Sequence, residues 1–76
     1  MGEKRILRLN RIKEILNLQG RRGSWLAEQV GVTTKTVSFW CSNTSQPHLE
    51  TLYQIAEILG VKPADLLGDG EEKIEE

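Results

Sequence analysis

The sequence predicts an all-α fold, a bundle of five short helices, and three observations carry that expectation. Apolar residues recur at helical spacing, most clearly in Leu49, Leu52, Ile55, Ala56 and Leu59 and again in Leu9, Ile12, Ile15 and Leu16. Helix-ending glycines (Gly20, Gly31, Gly60, Gly68) follow the apolar stripes, and Pro47 and Pro63 stand just ahead of new ones. The chain has 76 residues, of which 38% are apolar. That is one domain with a feasible helical core and no room for a large ligand cavity.

Taken in order, residues 1–7 have mixed charge and no cap, and read as an N-terminal extension whose first residues fray. The first helix is expected from about Arg8 to Gln19, with Arg5, Arg8, Arg11 and Lys13 as a solvated basic face or, as the lesser reading, a phosphate-contacting one. In residues 23–42, Leu26, Ala27 and Val30 form a narrow stripe, Gly31 reverses the chain, and Val32 returns to the core. Thr33 is a good N-cap for a helix that runs to Ser42 with Val37 and Trp40 as its buried pair. The small polar residues of 42–47 make a loop ending in Pro47, and His48 takes the N-cap position of the fourth helix. Gly60 closes that helix, Val61 returns to the core, and a final short helix starts at Pro63 and contains Leu66 and Leu67. The domain therefore spans 8–67, followed by an acidic, flexible tail over 68–76.

Charge and cysteine content narrow the function classes. The net charge is −1, but residues 1–35 hold eight Lys/Arg against three acids (+5) while 36–76 hold two against eight (−6). Without 68–76 the rest carries +3, a mildly basic body. One Cys excludes an internal disulfide and, with one His, makes no metal set, so neither metal nor cofactor is expected and a reducing, cytoplasmic setting is. The N-terminus has no apolar run of signal or membrane length. Cys41 and His48 invite a nucleophile-and-base pair, which a small helical core without a cleft does not support, so an enzyme is not expected.

The outward residues of the 34–42 helix, Thr34, Lys35, Thr36, Ser38 and Phe39, are short, hydroxylated or cationic, apart from Phe39. Hydroxyls and Lys can bond base edges or phosphates, and short side chains let a helix sit deep in a major groove. Phe39 has three readings: contact with a thymine methyl, cover for a partner surface, or folding back on Trp25.

The whole of 11–67 resembles the Cro and repressor-type (Xre) helix-turn-helix family: RIKEIL, WLAEQVGV, TTKTVSFW, the loop to Pro47, LETLYQIAEILGV and ADLL follow its pattern without a gap. The resemblance implies a lambda-repressor-like bundle that binds duplex DNA as a transcriptional regulator, a repressor. A lone domain of this size reads few base pairs, so a homodimer on two half-sites is expected. By the same resemblance Thr34, Lys35, Thr36, Ser38 and Phe39 face bases. Arg21, Arg22, Gly23, Thr33, Ser42, Asn43 and Thr44 hold the DNA backbone. GRRG at 20–23 departs from the family at its usual cap and phosphate-binding Gln, and Arg21 and Arg22 beside a helix N-terminus can replace both, unless they are solvated loop residues. Asn43 stands where the family has Gly. Tyr53, Leu66, Leu67 and Ile74 are the apolar candidates for a dimer interface. The rival function is a protein-interaction module, such as an antitoxin gripping its toxin through the acidic C-terminal end.

Overall fold

The computed structural model describes the backbone of residues 4–75 and the side chains of 6–72. A strand β1 (Lys4–Leu7) leads into helices α1 (Ile12–Leu18), α2 (Gly23–Val30), α3 (Thr34–Cys41) and α4 (Leu49–Leu59). A 3-10 turn (Pro63–Leu66) and a strand β2 (Glu72–Glu75) complete it. The helical bundle over 12–66 is as expected, with four helices and the last reduced to the 3-10 turn.

The core gathers one stripe from each helix. Ile12 and Leu16 of α1, Leu26 and Ala27 of α2, Val37 and Trp40 of α3, and Leu52, Ile55, Ala56 and Leu59 of α4 are buried together with Leu66. Each large aliphatic side chain fully removed from water contributes about 1.5–3 kcal/mol. Gly31 ends α2 at φ 90, where its N–H and that of Val32 both donate to the Ala27 carbonyl (2.8 and 3.0 Å). An L side chain resists that left-handed backbone, which is why glycine makes the turn into α3. Thr33 Oγ1 accepts from the Thr36 N–H at 3.1 Å and caps α3. Gln19 Nε2 donates to the Leu59 carbonyl at 2.8 Å, tying the end of α1 to the end of α4.

Three expectations are corrected. First, α1 begins at Ile12, not near Arg8. Residues 8–11 are bonded to the C-terminal segment, and Asn10 Oδ1 accepts from the Ile12 N–H at 3.0 Å. Leu9 therefore leaves the stripe and is 44% exposed. Second, the two ends of the chain pair with each other. β1 and β2 form an antiparallel sheet with Arg5 opposite Ile74 and Leu7 opposite Glu72. The backbone bonds Arg8 N–H to Glu71 O, Gly70 N–H to Arg8 O, Gly68 N–H to Leu9 O and Arg11 N–H to Leu66 O continue the pairing (2.8–2.9 Å). Residues 4–7 and 72–75, expected as a fraying extension and a flexible tail, are therefore strands; residues 1–3 and 76 lie outside the described residues. Third, Leu66 is fully buried and is no interface residue, while Leu49 and Leu67 are exposed.

Candidate nucleic-acid interface

Helix α3 is held against the body by Val37 and Trp40, so at 100° per residue the opposite face carries Lys35, Ser38, Phe39 and Ser42. Thr34, Lys35, Ser38 and Phe39 are exposed. Thr36 is not on that face: it lies on the flank, half-buried, with its hydroxyl 2.9 Å from that of Thr33. Phe39 does not fold back on Trp25; it is 42% exposed, and the Lys35 ammonium sits 5.8 Å from its ring centroid. This contact leaves the Lys35 charge in solvent while steering it along the helix surface.

Beside α3 runs a groove of about 560 Å³, lined on the α1 side by Lys13 and Asn17 and on the α2 side by Arg21, Arg22 and Ser24. Thr34, Ser38 and Ser42 form its α3 wall. Gly23 opens α2 here, and a Cβ at that position would stand 3.4 Å from Val37 Cγ1, an ordinary contact, so the first turn of α2 packs beside α3. No side chain caps α2, whose first N–H groups thus lack a side-chain acceptor, and Gly23 and Ser24 of its first turn line the groove. Arg21 stacks its guanidinium 4.0 Å above the Trp25 ring and also donates to Gln19 Oε1 at 3.3 Å. Trp25 is half-buried and packs on the core, so it serves as a platform for Arg21. Lys13, expected as solvated surface, thus joins the arginines around one groove.

Cys41 also faces this groove. Burial pushes its thiol up, opposed by nearby Lys13 and reinforced by Glu14. That direction is opposite to the activation a nucleophilic cysteine needs.

The loop after α3 is rigidified from within. Asn43 adopts φ 61 and ends the helix. Its Oδ1 accepts from the Leu9 and Asn10 N–H groups, both at 2.9 Å, and its Nδ2 donates to the Asn10 carbonyl at 3.2 Å. These bonds fix the amide in place, with its oxygen and one of its two Nδ2 hydrogens committed to the 8–11 segment. Ser42 and Thr44 share a hydroxyl contact at 2.8 Å, and Thr44 is exposed. Asn10 was missed in the sequence: it is 2% exposed, and its Nδ2 donates to the Trp40 carbonyl (2.9 Å) and to Gln46 Oε1 (2.7 Å). An Asn two residues ahead of an apolar stripe is a helix-start signal, but Leu9 on the same spacing drew the start too early.

A helix-turn-helix family model matches residues 12–66, well over half of the chain. The chain belongs to the Xre-type helix-turn-helix family. The match begins at the first residue of α1 and ends at Leu66, so the helix-turn-helix body is family-like while β1, residues 8–11 and β2 lie outside it. Among solved structures, the chain is similar to a crystal structure from Bacteroides fragilis of a protein provisionally described as DNA-binding. The two are 50% identical with a TM-score of 0.78, over 79% of this chain and 97% of that one. A comparison with curated proteins gives no match. Among the described residues no helix is long and apolar enough to cross a membrane, and no group of three or more His, Cys, Asp or Glu could hold a metal ion.

Proposed function

We propose that this helix-turn-helix protein binds duplex DNA sequence-specifically and regulates transcription, as a repressor that occludes a promoter. The observation that carries the reading is the exposed strip of α3 set beside the cationic groove rim of Lys13, Arg21 and Arg22. Helix α3 enters the major groove with Thr34, Lys35, Ser38 and Phe39 toward base edges. Thr36, on the flank, supports the Thr33 cap and contacts the edge of the site. Arg21, Arg22, the open N–H groups from Gly23 onward, Thr33, Ser42 and Thr44 hold phosphates on either side. Asn43 is withdrawn from that set because its amide is engaged within the chain.

One such module reads few base pairs, so two copies on half-sites about 34 Å apart supply useful specificity. Tyr53 and Leu67, exposed by 57% and 53%, remain candidates for the contact between copies. The side chain of Ile74 lies outside the described residues.

Lys35 tests the reading most economically, because it is exposed and its contact with the Phe39 ring lies on the surface, outside the core. Lys35→Ala weakens binding to the preferred duplex by about 1–3 kcal/mol if the ammonium reads a guanine. Fluorescence anisotropy with the selected duplex measures this, and unchanged affinity overturns the assignment.

A further inference from the structure

We propose that Asn10 and Asn43 are positioning residues for DNA binding: they clasp the end of the recognition helix to the chain segment 8–11, and the C-terminal segment holds that clasp shut. The proposal rests on the DNA-binding reading above.

Ending α3 makes only one demand on the backbone. A left-handed residue suffices, and a glycine would supply it without any side chain. The Asn43 amide is therefore surplus to helix termination. Two of its contacts take the N–H groups of Leu9 and Asn10 and a third reaches the Asn10 carbonyl. Asn10 answers from the other side, donating to the Trp40 carbonyl in the last turn of α3 while its Oδ1 accepts from the Ile12 N–H at the start of α1. Two side-chain amides, Asn10 buried and Asn43 half-buried, thus join the start of α1 to the end of α3.

Segment 8–11 has a second anchor. The Leu9 N–H points to Asn43, while the Leu9 carbonyl accepts from Gly68. The carbonyl of Arg8 accepts from Gly70, and the Arg11 N–H donates to Leu66. The approach is close enough that a Cβ on Gly68 would lie 2.1 Å from the Arg8 oxygen. The C-terminal segment, the 8–11 segment and Asn43 are consecutive layers of one hydrogen-bonded stack that ends on the last turn of α3. Phe39 and Ser42 are in that turn, and Thr44 follows it with its N–H on the Phe39 carbonyl. With the clasp open, this turn and loop must be ordered when DNA binds, and affinity falls by the fraction of chains already in the competent arrangement.

The test compares the full-length chain with Asn43→Gly, Gly68→Ala and the double substitution. Asn43→Gly keeps the left-handed backbone and removes only the amide. Thermal unfolding and amide hydrogen exchange at Leu9 and Asn10 are measured first, and DNA titrations are run only where each variant is fully folded. We expect Asn43→Gly to bind the preferred duplex about five- to tenfold more weakly, an ordering penalty of one or two groups, with base preference and salt slope unchanged. Gly68→Ala should do the same, and the double variant should bind no worse than the weaker single one, since both open the same clasp. A folded Asn43→Gly that binds within twofold of wild type overturns the proposal. So does a salt slope reduced by about one, which would make Asn43 a phosphate ligand. Absence of duplex binding by the wild-type chain overturns the DNA reading itself, and is told apart because it appears before any substitution is made.

Discussion

Replacing Gly68 with Ala separates a steric role from a conformational one. The added Cβ would meet the Arg8 oxygen at 2.1 Å, the Arg8 carbonyl carbon at 2.8 Å and the Leu9 carbonyl carbon at 3.0 Å. These are backbone atoms and cannot rotate away, so the two segments must part by roughly 1 Å. That displacement lengthens the 2.9 Å bonds from Gly68 to Leu9 and from Gly70 to Arg8 beyond useful range. At about 0.5–1.5 kcal/mol for each lost bond, plus the strain of any incomplete separation, the loss is about 2–3 kcal/mol. For a domain of this size that lowers the unfolding midpoint by roughly 10–20 °C. Circular dichroism melting measures it, and hydrogen exchange at Arg8 and Gly70 locates it. Gly70→Ala is the control: nothing lies within 4 Å of its Cβ, and only its left-handed φ of 74 resists, at about 1–2 kcal/mol. An unchanged midpoint for Gly68→Ala, or a larger loss for Gly70→Ala, refutes the close-approach reasoning.

Thr33→Ala removes the cap of α3 and should destabilise the fold by about 1 kcal/mol, read by urea unfolding; no change would mean that solvent replaces the hydroxyl fully. Arg22→Ala should weaken binding to all duplexes alike and reduce the slope of log affinity against log salt by about 1, whereas a sequence-dependent loss would place it on a base. Phe39→Ala should leave stability within about 1 kcal/mol because the ring is 42% exposed, yet relax the preference for one thymine in a competition assay. Retained preference there would assign Phe39 to a partner surface instead.

The helical body was legible because its signals are local. The stripe through Leu52, Ile55, Ala56 and Leu59 is buried throughout, and Gly31 and Gly60 end their helices in the left-handed region as their positions foretold. The terminal sheet was not, because its two strands are charged, four residues long and paired across almost the whole chain, so neither shows an alternation that stands alone. The same non-local pairing displaced Leu9 from the helix it seemed to belong to by spacing, and Leu49 entered the stripe by spacing although the first turn of α4 leaves it exposed. On α3 the outward residues could be picked from the Val37–Trp40 pair, except Thr36, whose angle puts it on the flank. The anchoring role of the Asn43 amide was not legible because a polar loop residue reads as solvent-facing until its partners, some 33 positions away, are known.

The most direct test of the central claim is selection of the wild-type chain against a random duplex library at two salt concentrations, followed by titration of the winning site. A dimeric sequence reader selects a short motif, repeated about one helical turn apart, and binds it with an affinity that falls steeply with salt. No enrichment, with binding absent or insensitive to salt, would contradict the claim and leave the exposed face of α3 to a protein partner.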